Sequence, residues 1–131
     1  MEVDHLGIAV ESLAESLPRW ERALGVRASA PEEVAAQHVR VAFLDVGATH
    51  LELLEPTAPT SAIARFLESR GAGMHHIAFA VPSVNAQLAE LAARGERVID
   101  REGRPGARGR VVGFAHPSAF GGVLVEFVER R

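Results

Sequence analysis

Cysteine is absent from the 131 residues, which excludes disulfides, thiolate metal sites and every cysteine-nucleophile mechanism. Lysine is absent as well: all fourteen basic residues are arginine, so neither a Schiff-base lysine nor the lysine of a phosphate-binding P-loop is available. Amide side chains are scarce, with only Asn85, Gln37 and Gln87. No apolar run approaches the eighteen or so residues that a bilayer crossing needs, and Met1-Glu2-Val3-Asp4 lacks the basic start of a secretory signal, so a cytoplasmic address is expected. A net charge of −3 provides no field to attract a polyanion, which disfavours nucleic acid as a partner. Whatever chemistry the chain performs must rest on histidine, carboxylates or a metal.

What is present is an ordinary globular composition, 47% apolar and 24% charged, at a length suited to a single domain. The chain also contains its own copy. Val3-Asp4-His5-Leu6-Gly7-Ile8-Ala9-Val10 resembles Met74-His75-His76-Ile77-Ala78-Phe79-Ala80-Val81 at an offset of 71, which sets His5 on His76. Further on, Leu51-Glu52-Leu53-Leu54-Glu55 resembles Val125-Glu126-Phe127-Val128-Glu129, with Glu52 on Glu126. Two copies this long do not make a solenoid, so the repeat predicts a duplicated module within one domain. Module one spans about 1–58, a linker helix about 59–72 and module two about 73–131.

Period and punctuation predict the elements of each copy. Residues 3–10 alternate as a strand; Ser12 with Glu15 forms a capping box and Gly25 a stop, with Pro18 delaying or bending the helix between them. Strands are expected at 26–30, 38–44 and 49–55. The second copy gives a strand at 74–81, a helix from Ser83 to Arg94, and strands near 97–100, 110–115 and 122–129. Ser61 caps the linker helix, which ends at Gly71-Ala72-Gly73.

Strand parity places His5, Gly7 and Ala9 on one face and Leu6, Ile8 and Val10 on the other; likewise His76, Ala78 and Ala80 oppose Ile77, Phe79 and Val81. A face of one histidine and small residues cannot fill a core by itself, so it borders a cavity or receives bulky partners. Glu52 and Glu126 sit inside apolar strands and need partners if buried. Taken singly, each histidine could be a hydrogen-bonded core residue and each glutamate could face solvent. Recurrence of the matched positions favours a cluster of His5, Glu52, His76 and Glu126 around a divalent cation. Gln37, His38 and His116 are candidate helpers, although His116 also suits a turn before Pro117; parity turns His75 away, and His50 falls at a strand start near solvent. The stretch Arg101 to Arg110 could bind phosphates or a carboxylate, or simply be a solvated loop.

These residues resemble the vicinal oxygen chelate superfamily, an α+β fold in which two pseudo-symmetric βαβββ modules form a cup-shaped mixed sheet around a divalent metal. Within it the likeness is to the methylmalonyl-CoA epimerase family, through Gly73-Met74-His75-His76-Ile77, Gly106-Ala107-Arg108-Gly109, His116-Pro117 and Gly121-Gly122-Val123-Leu124-Val125-Glu126. The resemblance implies metal ligands His5, Glu52, His76 and Glu126, holding Co, Mn, Ni, Zn or Mg. It further implies an acyl-CoA substrate epimerised through a metal-stabilised enolate, in a homodimer; the pseudo-symmetric positions of Glu126 and Glu52 suggest Glu126 as one base and Glu52 as the other. Two positions depart from the family pattern: Ser118 stands where these epimerases commonly carry lysine, and Val41 falls near a position where some have a glutamate. The alternatives are a glyoxalase I-type lactoylglutathione lyase, which uses a similar site, and a non-catalytic small-molecule-binding member, which would normally have lost these residues.

Overall fold

The computed structural model describes residues 1–130. Their element order is β1 (Glu2–Ala9), α1 (Leu13–Leu24), β2 (Glu32–Val34), β3 (Val39–Val46), β4 (Thr49–Pro56), α2 (Ala62–Arg70), β5 (Gly73–Val81), α3 (Val84–Ala93), β6 (Arg104–Pro105), β7 (Val111–Ala115) and β8 (Val125–Glu129). Strand, helix and three strands thus appear twice, as the repeat predicts. Internal contacts group residues 5–75 into one compact unit, and residues 76 onward with the first four residues into another.

In the first unit β1 runs parallel to β4, with His5 opposite His50 and Gly7 opposite Glu52. β3 lies antiparallel on the other side of β4, with Phe43 opposite Glu52, and β2 pairs antiparallel with β3. The second unit repeats this plan. β5 is parallel to β8, with Ala78 opposite Glu126; β7 is antiparallel to β8, with Phe114 opposite Glu126; and β6 pairs antiparallel with β7.

The helices decide which face of each sheet is apolar. Ile8 and Val10 pack with Leu13, Ala42, Leu44 and Leu53, and with the half-buried Leu17 and Trp20 of α1. Their counterparts Ile77, Phe79 and Val81 pack with Val84 and Leu88 of α3 and with Val125 and Phe127 of β8. Each such side chain removed from water contributes about 1.5–3 kcal/mol, so the bulky rows are held against the helices and the histidine rows face the other way. A slip of one residue would exchange the two rows, which specifies the register strongly.

Ser12 caps α1, its hydroxyl accepting from the Glu15 amide at 3.3 Å, and Gly25 ends the helix at φ 70°. Pro18 does not delay the start: α1 begins at Leu13 and carries the proline inside. Ser61 and Ser83 cap α2 and α3 in the same manner as Ser12.

Two expected strands are corrected. Residues 26–30 make only an isolated bridge, Ala28 to Leu44, and the edge strand of that half is Glu32–Val34 instead. Residues 97–100 likewise reduce to a bridge from Val98 to Ala115, and the edge strand is Arg104–Pro105. The cause is the same in both halves: a side chain replaces the ladder. The Phe43 amide donates to the Ser29 hydroxyl at 2.9 Å, and the Phe114 amide to Asp100 Oδ2 at 2.8 Å, so the backbone donor a paired strand would have used is taken by a side-chain oxygen. Among the described residues no helix is long and apolar enough to cross a membrane.

Gly113 on β7 shows how closely α3 approaches. A Cβ there would lie 2.8 Å from Leu88 Cδ1 and 2.9 Å from Val84 Cγ1. Gly113→Val should destabilise the protein by about 1–3 kcal/mol, the usual cost of overpacking, read as a lower denaturation midpoint at unchanged m-value. An unshifted midpoint would contradict the helix–sheet packing described here.

Candidate metal centre

The site residues are placed by the parity described above. In the first unit His5 and Glu52 lie on neighbouring parallel strands, both on the face turned away from α1, and His5 Nε2 stands 3.2 Å from Glu52 Oε1. In the second unit His76 Nε2 stands 3.1 Å from Glu126 Oε1. Relative exposures are 4%, 7%, 4% and 4% for His5, Glu52, His76 and Glu126, so water does little to stabilise charge on any of them.

A neutral imidazole nitrogen and a carboxylate oxygen at such separations oppose lone pairs unless a proton or a cation bridges them. Two ligand atoms bound to one metal at about 2.0–2.2 Å would themselves lie about 3 Å apart, the spacing both pairs adopt. These buried histidines and glutamates could hold a metal ion, and imidazole with carboxylate is a donor set that borderline divalent cations accept.

Each pair carries an aromatic support that the sequence reading missed. The Phe43 ring meets His5 edge-on at a centroid distance of 6.3 Å, and Phe114 meets His76 edge-on at 5.6 Å. The two phenylalanines stand 71 residues apart, the offset of the histidines, so the repeat itself contained the signal. Such ring pairs fix the plane of an imidazole and hence the direction of its nitrogen.

A second duplicated carboxylate was also missed. Glu55 and Glu129 each follow the site glutamate by three residues, which by parity puts them on the helix side. The Leu13 amide donates to Glu55 Oε1 at 2.7 Å and the Val84 amide to Glu129 Oε2 at 3.1 Å. One strand therefore turns one glutamate toward the histidine and another onto the first turn of the helix, where the macrodipole favours negative charge.

Of the remaining candidates, His116, His75, His50 and Arg110 have structural partners. Nδ1 of His116 accepts from the Ser118 amide at 3.0 Å in a turn before Pro117, the turn role anticipated for it. His38 is exposed in the left-handed region at φ 54°, at the end of the short turn containing Gln37. His75 packs edge-on against Phe66 at 4.9 Å, away from its neighbour His76 as parity requires. The His50 imidazole pairs with Asp45 Oδ1 at 2.7 Å and meets Phe43 edge-on at 6.3 Å. In the arginine-rich stretch, Arg110 is committed to Asp4 Oδ1 at 2.9 Å and to the Glu129 carbonyl at 3.1 Å.

Comparison with known proteins now bears on this geometry. Residues 4–114 match the model of the glyoxalase/bleomycin resistance protein/dioxygenase superfamily. The chain belongs to that superfamily. It is 41% identical over 129 residues to the uncharacterized protein YqjC of Bacillus subtilis, covering 98% of this chain and 92% of that one. To the ethylmalonyl-CoA/methylmalonyl-CoA epimerase of Cereibacter sphaeroides it is 37% identical over 126 residues, covering 95% of this chain and 94% of that protein. A solved structure of a Streptomyces coelicolor methylmalonyl-CoA epimerase variant, in complex with 2-nitronate-propionyl-CoA, superposes at a TM-score of 0.94 and 36% identity, covering 98% of this chain and 94% of that chain. The fold of this superfamily member is thus shared, nearly end to end, with methylmalonyl-CoA epimerases.

The two glutamates of each last strand should separate experimentally. Glu129→Ala removes a helix cap and should cost about 0.5–2 kcal/mol of stability while leaving metal content unchanged. Glu126→Ala should lower metal content, measured by elemental analysis of dialysed protein. Equal metal loss in both variants would refute this division of labour.

Proposed function

We propose that this protein is a metal-dependent epimerase that interconverts (R)- and (S)-methylmalonyl-CoA, with His5, Glu52, His76 and Glu126 together holding one divalent cation. The observation that carries the reading is the buried His–Glu pair, present once in each half at 3.2 and 3.1 Å, in a chain of this superfamily. The names of its relatives supply the substrate class.

The reaction requires removal of the proton between a thioester carbonyl and a carboxylate, and return of a proton to the opposite face. When bound, the cation supplies Lewis-acid chemistry, lowering the cost of the negative charge that develops on the substrate oxygens as that proton leaves. The chain's own residues provide the rest. Glu126, beside His76, takes the proton, and Glu52, beside His5, returns one. Val112, Val128 and Ala78, all buried, line the face beside Glu126, and Val41 and Leu54 do so beside Glu52. An apolar setting strengthens each remaining electrostatic contact and keeps water from quenching the carbanion-like intermediate. Val41 is fully buried and cannot take protons, so the second base does not come from that position, and the pseudo-symmetric relation of Glu52 to Glu126 is what favours Glu52 for it. The homodimer implied by the resemblance and the cytoplasmic address expected from the sequence belong to the same reading.

Purified protein should carry about one divalent ion per chain. In heavy water it should exchange the methylmalonyl-CoA α-proton for deuterium, observed by mass spectrometry, and a chelator should stop the exchange. Glu126→Gln should slow it by about 100-fold or more, the usual scale of a lost acid–base group. Absence of exchange by metal-replete protein, with turnover of methylglyoxal and glutathione in its place, would transfer the site to lactoylglutathione chemistry.

A further inference from the structure

The duplication that gives both halves a histidine, a glutamate and a phenylalanine fails at one position on the same face. β6 pairs Arg104 with Val112, and residues directly opposite on antiparallel strands share a face, so Arg104 lies on the side of Val112, Phe114 and Glu126. The corresponding pair in the first unit is Glu32 opposite Val41. One half thus offers a guanidinium where the other offers a carboxylate.

Two contacts hold Arg104 in place. Its Nε lies 3.3 Å from Asp100 Oδ1, and Asp100 is itself fixed because its other oxygen accepts the Phe114 amide at 2.8 Å. The guanidinium carbon stands 5.6 Å from the centroid of Phe114, the ring that meets His76 edge-on. Asp100 lies beside Nε, which is shielded from solvent without making a hydrogen bond among the described residues. The two terminal amino groups remain as the planar fork that matches a carboxylate. The side chain keeps 35% of its surface exposed, so the fork is reachable. Phe114, on which it rests, is the strand partner of Glu126.

We infer that Arg104 is a substrate-anchoring residue that binds the free carboxylate of the malonyl half-thioester. The inference rests on the epimerase reading above and deepens it. A substrate with a carboxylate at one end and a neutral thioester at the other has no symmetry of its own, and a site built from matched pairs cannot orient it. A cation at the Arg104 position, where the matched position of the other half carries a carboxylate, does. The chain has no lysine, and Ser118 occupies the place where the resembled epimerases commonly carry one, so any basic side chain that meets the carboxylate is an arginine or a histidine.

Malonyl-CoA and propionyl-CoA differ only in the free carboxylate, and their binding to metal-replete protein, measured by calorimetry, isolates its contribution. Arg104→Gln should weaken malonyl-CoA by about tenfold or more, the range of a charge-assisted hydrogen bond, and leave propionyl-CoA unchanged. Arg104→Lys keeps the charge but loses the fork, and should fall between wild type and Arg104→Gln; it carries the test alone if the glutamine variant does not fold. Equal weakening of both ligands would assign Arg104 to the coenzyme phosphates and overturn the inference. No weakening of either would reduce Arg104 to a structural ion pair with the same result. Deuterium exchange by the wild type is read separately, so a failure of the epimerase reading is distinguishable from a failure of the anchor.

Discussion

The structure depends on a carboxylate kept out of water beside an imidazole, once in each half. Burying a charged group without compensation costs several kcal/mol, more than any single apolar contact nearby returns. His5 beside Glu52 and His76 beside Glu126 are therefore arrangements a fold does not retain for stability, since a pair of leucines would pack at lower cost. The surrounding architecture reads as what is needed to keep them: small residues on the strands that carry the histidines, a phenylalanine edge against each ring, and bulky side chains sent to the opposite face.

That opposite face explains how one short strand serves two ends. β4 and β8 each carry a glutamate, two apolar residues and a second glutamate. Alternation sends the first toward the histidine and the second to the helix, where Glu55 and Glu129 accept the amides of Leu13 and Val84. A rotation of either strand would displace both carboxylates together, so the helix cap also fixes the strand that orients the site glutamate. Position is transmitted from the helix terminus to the site through three residues of extended backbone.

Much of this was legible in the sequence because the signals were periodic and duplicated. Offsets near 71 gave the repeat, parity gave the face of each histidine and glutamate, and Ser12, Ser61 and Ser83 gave the helix starts. What was not legible involved side chains replacing backbone. Residues 26–30 and 97–100 read as strands because their composition suits one, but Ser29 and Asp100 take the amides of Phe43 and Phe114, and the ladder shrinks to single bridges. Nothing in local propensity distinguishes a serine that decorates a strand from one that substitutes for it. The phenylalanine supports and the helix-capping glutamates did lie in register in the repeat, but both residue types also have ordinary explanations in a core or on a surface. Their roles required the distances.

Duplication explains the symmetric parts of the molecule, and function must explain where symmetry is broken. Matched strands could carry matched residues throughout, yet Glu32 stands opposite Val41 where Arg104 stands opposite Val112. The phenylalanine tethers differ in a parallel way: Ser29 is neutral and Asp100 is charged. These two differences belong together. A neutral serine satisfies the Phe43 amide and needs nothing further, whereas Asp100 brings a charge that must be balanced, and Arg104 balances it from the same edge of the same sheet. The second half thus carries an Asp100–Arg104 ion pair at this edge, beside the ring that supports its histidine. An arrangement confined to one copy, adjacent to a residue pair retained in both, is what an asymmetric ligand on a symmetric scaffold demands.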